Sequence, residues 1–332
     1  MIGPTANATR VAALIYNPVK VDGPDLRAAV QAAAHRAGWA HPHFFETTVE
    51  DPGQALARQA LAEGVDVVLV AGGDGPVRAV AEAMISSDVP LTIIPSGTGN
   101  LLARNLGLPL TTTDALVAAA FTGVDRSIDI GLAEVTRADG THEEHAFVVM
   151  AGMGLDAAMI QNTSPTLKRS VGWVAYIDGA ARSLPTARPF RMMFQVGQEH
   201  LRTTRAHSIL WANCGELPAR ITLVPDASIA DGLLDVALFQ PRRWWEWVAV
   251  WRTVWWRNSV LRRTKAGRRI AERLAGTGAV RYYQGESLEA AVTEAQPIEF
   301  DGDELGHAVR MRGRVVPGGL RVRLPAASAA AR

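Results

Sequence analysis

Two glycine-rich turns constrain this chain more than any other feature, because each closes an apolar run and opens helix-compatible sequence. Gly72-Gly73-Asp74-Gly75 follows Val65-Asp66-Val67-Val68-Leu69-Val70-Ala71, and Ser96-Gly97-Thr98-Gly99-Asn100 follows Leu91-Thr92-Ile93-Ile94-Pro95. Glycine lets the backbone take positive φ and approach a bulky anion, and the unpaired N–H groups of a helix start point toward negative charge. Two such turns on neighbouring strands predict a nucleotide-phosphate site at the carboxyl edge of an α/β sheet. The plain alternative, for each turn alone, is a tight strand-to-helix connection with no ligand.

The surrounding sequence supports the sheet. Val11–Tyr16 reads as a first strand ending at Asn17-Pro18, Leu26–Ala37 as a helix stopped by Gly38, and His43–Glu46 as a short strand. A helix over Pro52–Glu63 ends at Gly64; after the first glycine turn comes a helix from Pro76 to about Ser86, and after the second one over Leu101–Leu106. Repeated β-α units predict a doubly wound parallel sheet, whose right-handed crossovers gather the loops after the strands on one edge. Beyond about Asp129 the rhythm changes to short β-type runs, Ala146–Met150, Phe190–Val196, Ser208–Ala212, Leu234–Phe239, Val280–Tyr283 and Ile298–Phe300. These predict a mostly antiparallel second domain, with one helix over Thr166–Ser183 and another in the tryptophan-rich stretch from Trp244. The expected domains are 1–131, joined by a returning segment near 311–325 that includes a strand Gly319–Leu324, and 132–310; the Ala-rich tail Pro325–Arg332 reads as frayed.

At 332 residues, 48% hydrophobic and 20% charged, the chain is long enough for two domain cores and too apolar for disorder. The single cysteine, Cys214, leaves no internal disulfide. Met1-Ile2-Gly3-Pro4-Thr5 lacks the basic and apolar regions of a secretion signal, and no run is long enough for a membrane span, which predicts a cytoplasmic protein. Eight scattered His and one Cys give no zinc spacing.

The motifs together resemble the diacylglycerol kinase catalytic-domain family, which includes sphingosine kinases and bacterial lipid kinases. The resemblance rests on both glycine turns, on Asn17-Pro18 and on Gly152-Met153-Gly154-Leu155-Asp156. Pro225-Asp226-Ala227-Ser228 with Asp231-Gly232-Leu233-Leu234-Asp235, and Asp301-Gly302-Asp303, complete it. It covers about residues 11–310 and implies an NAD kinase/diacylglycerol kinase-like fold, an α/β doubly wound parallel sheet plus a mostly antiparallel β domain. It also implies ATP and Mg²⁺ as cofactors and a lipid hydroxyl as phosphoryl acceptor; relatives suggest a homodimer.

Residue by residue, the resemblance and the converging-loop argument give ATP contacts at Asn17, Thr47 or Thr48, Gly72, Gly73, Asp74, Gly75, Ser96, Gly97, Thr98, Gly99 and Asn100. Thr98 is the phosphate-facing hydroxyl, and Lys20 is a weaker candidate. Asp74, acidic within an anion-binding loop, is expected to orient Mg²⁺ or a water against the phosphates. The family has Thr or Ser where this chain has Pro76, which removes a hydroxyl and an N–H; Arg78 either compensates with positive charge or is a solvated helix residue. Asp303 stands where the family has the carboxylate proposed as general base, and Asp74 and Asp303 are the expected catalytic pair. The resemblance further implies a structural Mg²⁺ at Asp231 with main-chain oxygens near Ser228 and Leu233.

Between Arg242 and Arg273 stand ten Lys or Arg against two Glu, in a chain of net charge +1. On a helical wheel Trp244, Trp247, Val248, Trp251, Val254 and Trp255 share one face, while Trp245 and Trp256 fall outside it beside Arg252. The shared face suits core packing. The outlying tryptophans and Arg262, Arg263, Lys265, Arg268 and Arg269 suit the headgroup zone of an anionic bilayer or a protein interface. The expectation is therefore a lipid kinase, peripheral at the inner membrane face through a helix at 242–265, with a lipid substrate and no nucleic acid. The rivals are a soluble-substrate kinase of the NAD kinase type and a nucleotide- or lipid-binding regulator impaired by Pro76.

Overall fold

The computed structural model describes residues 10–154, 189–217, 221–222, 224, 227–241 and 280–329. The predicted helix over 166–183, the Trp/Arg-rich stretch 242–265, Leu155-Asp156 and Pro225-Asp226 lie outside these residues. The fold comprises two compact units, one running to Ile128 and resuming at Gly319, the other spanning Asp129–Gly318.

In the first unit β1 (Ala12–Tyr16), α1 (Gly23–Arg36), β2 (His43–Glu46), α2 (Gln54–Ala62), β3 (Val67–Gly72), α3 (Asp74–Ala83), β4 (Leu91–Pro95), α4 (Leu101–Asn105) and α5 (Thr113–Thr122) follow in order. The strands pair in parallel in the order β4-β3-β1-β2, with Leu14 opposite both Leu69 and Phe44. Every residue of β1 and β3 is buried, as uninterrupted apolar runs covered on both faces require. Right-handed crossovers run one way through α1 and the other way through α2 and α3, and the packing follows: α1 lies against α5, α2 against α3. Asp22 caps α1 through Asp25 N–H at 3.2 Å. The chain re-enters this unit at its end, where Val322 pairs in parallel with Leu91. Arg323 ties that segment to Asp125 by two bonds of 2.6 and 3.0 Å.

The second unit begins at Asp129 within β5 (Val124–Thr136) and continues with β6 (His142–Phe147), β7 (Met150–Gly154), β8 (Phe190–Val196), β9 (Arg202–Ala206) and β10 (Ser208–Ala212). The short β11 (Glu216–Leu217) and β12 (Ile221–Thr222), then β13 (Leu234–Phe239), β14 (Val280–Gly285), β15 (Ser287–Phe300) and β16 (Asp303–Leu324) as far as Gly318 complete it. Its pairings are antiparallel: β10 lies between β7 and β13, and β15 meets β7, β8 and β16. Phe147, Phe194, Trp211, Phe300 and Met311 centre its core.

Several expectations are corrected. The single run expected over Ala146–Met150 is two strands, broken at Val148-Val149. Ile298–Phe300 and Gly319–Leu324 are the ends of much longer strands, β15 and β16, whose outer residues are polar and hide the period. The C-terminal tail opens with a short helix, Ala326–Ala329.

Candidate functional site

The two glycine turns meet. The register sets Gly72 opposite Pro95, and Ser96 N–H donates to Gly72 O at 3.0 Å. A Cβ on Gly97 would sit 2.6 Å from Gly73 Cα, and one on Gly73 would sit 3.3 Å from Gly97 Cα. Glycine is required at position 97 by close approach of one backbone to the other, and a side chain at position 73 would be tight. Asn100, left-handed at φ 49°, closes the second turn by accepting Gly97 N–H at 3.0 Å and donating to Gly97 O at 2.7 Å. Asp74 locks one turn to the other, because its Oδ1 accepts Leu101 N–H at 2.5 Å while Oδ2 abuts Gly99. One oxygen of the carboxylate expected to face a cation thus serves the start of α4. Arg104 braces the same turn, its Nε donating to Gly99 O at 2.7 Å.

Around this pair the predicted side chains divide. Thr47, at the end of β2, is 6% exposed; its N–H donates to Tyr16 O at 2.9 Å, while its hydroxyl is buried and, among the described residues, unpartnered. The Ser96 hydroxyl is buried and unpartnered in the same way. Buried hydroxyls without partners are uncommon and mark a place for a polar ligand or water. Thr98 is exposed. Asn17 turns back on its own loop, its Oδ1 accepting Val19 N–H at 2.9 Å. Thr48 closes the next loop, its hydroxyl accepting Asp51 N–H at 3.1 Å. Lys20 is exposed, and Arg78 is half-buried one turn into α3. Pro76 is the third residue of α3, where a backbone N–H has no intrahelical partner in any case, and its ring fills the space beside Gly72. The substitution therefore removes a hydroxyl but costs no helix hydrogen bond.

In the second unit the Asp301-Gly302 turn joins β15 to β16, with both residues at positive φ, 51° and 90°, as a two-residue hairpin needs. Asp301 is 2% exposed, and its carboxylate accepts the N–H groups of Val148, Val149 and Met150 at 2.8, 2.8 and 2.9 Å. This pins the break between β6 and β7 and fixes the hairpin that presents Asp303, half-buried at the first position of β16. Asp231 is exposed, and its two carboxylate oxygens receive Leu233 N–H at 3.1 Å and the Gln284 amide at 3.4 Å. Ser228 is exposed and Leu233 half-buried. Among the described residues no three His, Cys, Asp or Glu side chains gather as a metal cluster. The Asp231 carboxylate thus ties its own loop and β14. The loop is also held by Asp129, 3% exposed, whose oxygens accept Gly232 N–H and Gly318 N–H, each at 2.7 Å.

Residues 11–133 match the diacylglycerol kinase catalytic domain. Residues 148–324, more than half of the chain, match the YegS C-terminal NAD kinase beta sandwich-like domain. The chain belongs to the diacylglycerol kinase family. The diacylglycerol kinase of Mycobacterium tuberculosis H37Rv is 30% identical over 187 residues, covering 56% of this chain and 58% of the relative, so the match spans little more than half of that protein. The "Probable lipid kinase YegS-like" of Pseudomonas aeruginosa PAO1 is 31% identical over 323 residues, 95% of this chain and 94% of its own. The crystal structure of a diacylglycerol kinase from Bacillus anthracis shares the fold, with a TM-score of 0.63 at 17% identity over 97% of this chain and 99% of that one.

Four residues of this family member escaped sequence reasoning: Arg104, Asp129, Asp301 as a structural anchor, and Glu46, which accepts the Tyr16 hydroxyl at 2.5 Å. Arg104 carried a local signal, since it lies four residues after Asn100 on a helix that starts at the turn. The partners of Asp129 lie far along the chain and left no such mark.

Proposed function

We propose that the chain is a kinase that transfers the γ-phosphoryl group of ATP to the hydroxyl of a membrane lipid, diacylglycerol-like or sphingoid-like. The observation that carries this reading is the contact of two glycine turns beside the buried, unpartnered hydroxyl of Ser96, with the buried, unpartnered hydroxyl of Thr47 on the same sheet edge at the end of β2. A polyanion seated on the turns satisfies the Ser96 hydroxyl and is favoured by the positive end of the α3 dipole. Arg104 has no carboxylate partner among the described residues and contributes positive charge beside the second turn. Asp74 and Asn100 act as positioning residues, holding the second turn rigid so that donors stay aimed during transfer.

ATP enters as substrate with Mg²⁺, which offsets phosphate charge. Asp303 accepts the proton of the lipid hydroxyl as its oxygen bonds to the γ-phosphorus; the bond to the β-γ bridging oxygen breaks, and ADP leaves. Asp301 keeps the Asp303 hairpin in place. No helix among the described residues is long and apolar enough to cross a membrane. An acceptor embedded in a bilayer instead calls for peripheral docking, for which the Trp/Arg chemistry of 242–265 is suited.

The test is transfer of label from γ-radiolabelled ATP to total membrane lipid. Wild type is expected to make a labelled phospholipid, and Asp303→Asn to make it about 10²–10⁴ times more slowly. Undiminished transfer by Asp303→Asn would remove Asp303 from the mechanism, and no labelled lipid with wild type would remove the reading itself.

A further inference from the structure

The strand order β4-β3-β1-β2 sets out four features along one edge: the second glycine turn, the first glycine turn, Asn17, and Glu46 with Thr47. At about 4.8 Å per strand, the end of β2 lies roughly 10 Å from the first glycine turn, across β1. A nucleoside attached to phosphates seated on the turns would reach the end of β2 by running along this edge across β1, where the Thr47 hydroxyl is buried and unpartnered. Glu46 is the last residue of β2 and is exposed. Its Oε1 accepts the hydroxyl of Tyr16 at 2.5 Å, and among the described residues its Oε2 has no partner.

The Tyr16–Glu46 pair is built in. Tyr16 is 1% exposed, and its ring lies where α1 begins; a Cβ on Gly23 would come within 2.9 Å of Tyr16 Cε2. Burial and the Glu46 carboxylate together push the Tyr16 phenol above its ordinary value, so it remains a donor and orients Glu46. A carboxylate beside a polyanion is unfavourable unless it faces donors, and the neutral donors a ribonucleotide offers at that distance are the ribose hydroxyls. Acidic residues at strand ends hold ribose in other nucleotide-binding sheets by the same chemistry.

We infer that Glu46 binds the ribose 2′-hydroxyl through its open oxygen and selects ribonucleotides over 2′-deoxyribonucleotides, an assignment that rests on the kinase reading above. Tyr16 is a positioning residue for it.

The experiment is isothermal titration of MgATP and Mg-2′-deoxy-ATP into wild type, Glu46→Ala, Glu46→Gln and Tyr16→Phe, each checked by thermal melting. Wild type is expected to favour ATP about tenfold, the scale of one hydrogen bond to a charged group. Glu46→Ala is expected to lower that preference below about twofold while binding 2′-deoxy-ATP as wild type does, with Glu46→Gln between. Tyr16→Phe is expected to keep part of the preference. Equal binding of the two nucleotides by wild type, or an unchanged preference in Glu46→Ala, overturns the ribose assignment and leaves the kinase reading standing. An equal fall for both nucleotides in Glu46→Ala also overturns it, as a purely structural effect. Failure of wild type to bind either nucleotide overturns both.

Discussion

Gly97 has no room for a side chain, since its Cβ would reach within 2.6 Å of the Gly73 backbone. The nearest atom is backbone, so Gly97→Ala must separate the two turns. We expect it to destabilise the protein by about 1–3 kcal/mol, the scale of an overpacked site, and to weaken ATP binding at least tenfold (about 1.4 kcal/mol or more). Chemical denaturation and nucleotide titration check the two effects. Arg104 makes the complementary case: its substitution by Gln leaves backbone packing intact but removes the charge held at Gly99 O. Arg104→Gln is expected to raise KM for ATP about tenfold with a modest fall in melting temperature from the lost Gly99 contact, and Arg104→Lys to recover only part, because Lys lacks the planar fork that braces the carbonyl with one N–H and holds the others in fixed directions.

At the scale of elements, the Asp301 hairpin and α3 carry opposite predictions. Asp301→Ala leaves three buried N–H groups between β6 and β7 without their acceptor. At about 1–3 kcal/mol for each stranded donor, the loss is expected to be at least 3 kcal/mol by urea unfolding, even if water reaches some of them. Pro76→Thr, by contrast, falls in the first turn of α3, where no intrahelical bond is at stake. Its expected effect on stability is within about 0.5 kcal/mol. If the wild-type chain is an active kinase, the substitution changes its turnover only modestly; a protein active only after Pro76→Thr would favour the impaired regulator.

Across the whole molecule, legibility followed the range of the interactions. The parallel unit could be read because each strand is a buried apolar run and each glycine turn sits beside the strand that ends in it. The antiparallel unit could be read only in part. β5 opens with the exposed Val124 and Asp125, and β16 alternates arginines with core residues such as Met311, so neither stands out as apolar sequence. The glycines of the site were legible since close packing demands them. The hydrogen bonds of Asp74 to Leu101, and of Asp129 to Gly232 and Gly318, arise only when distant segments meet, and a sequence carries no local sign of them. The same holds for Asn17 and Thr48, whose side chains close their own loops.

The central claim is that this fold passes phosphate from ATP to a lipid rather than to a soluble acceptor. The most direct measurement offers γ-radiolabelled MgATP to the protein with diacylglycerol-containing anionic vesicles and NAD in the same reaction, and separates the products by chromatography. The account predicts label in a phospholipid and none in NAD. Label in NAD, or release of inorganic phosphate alone with both acceptors present, would contradict it.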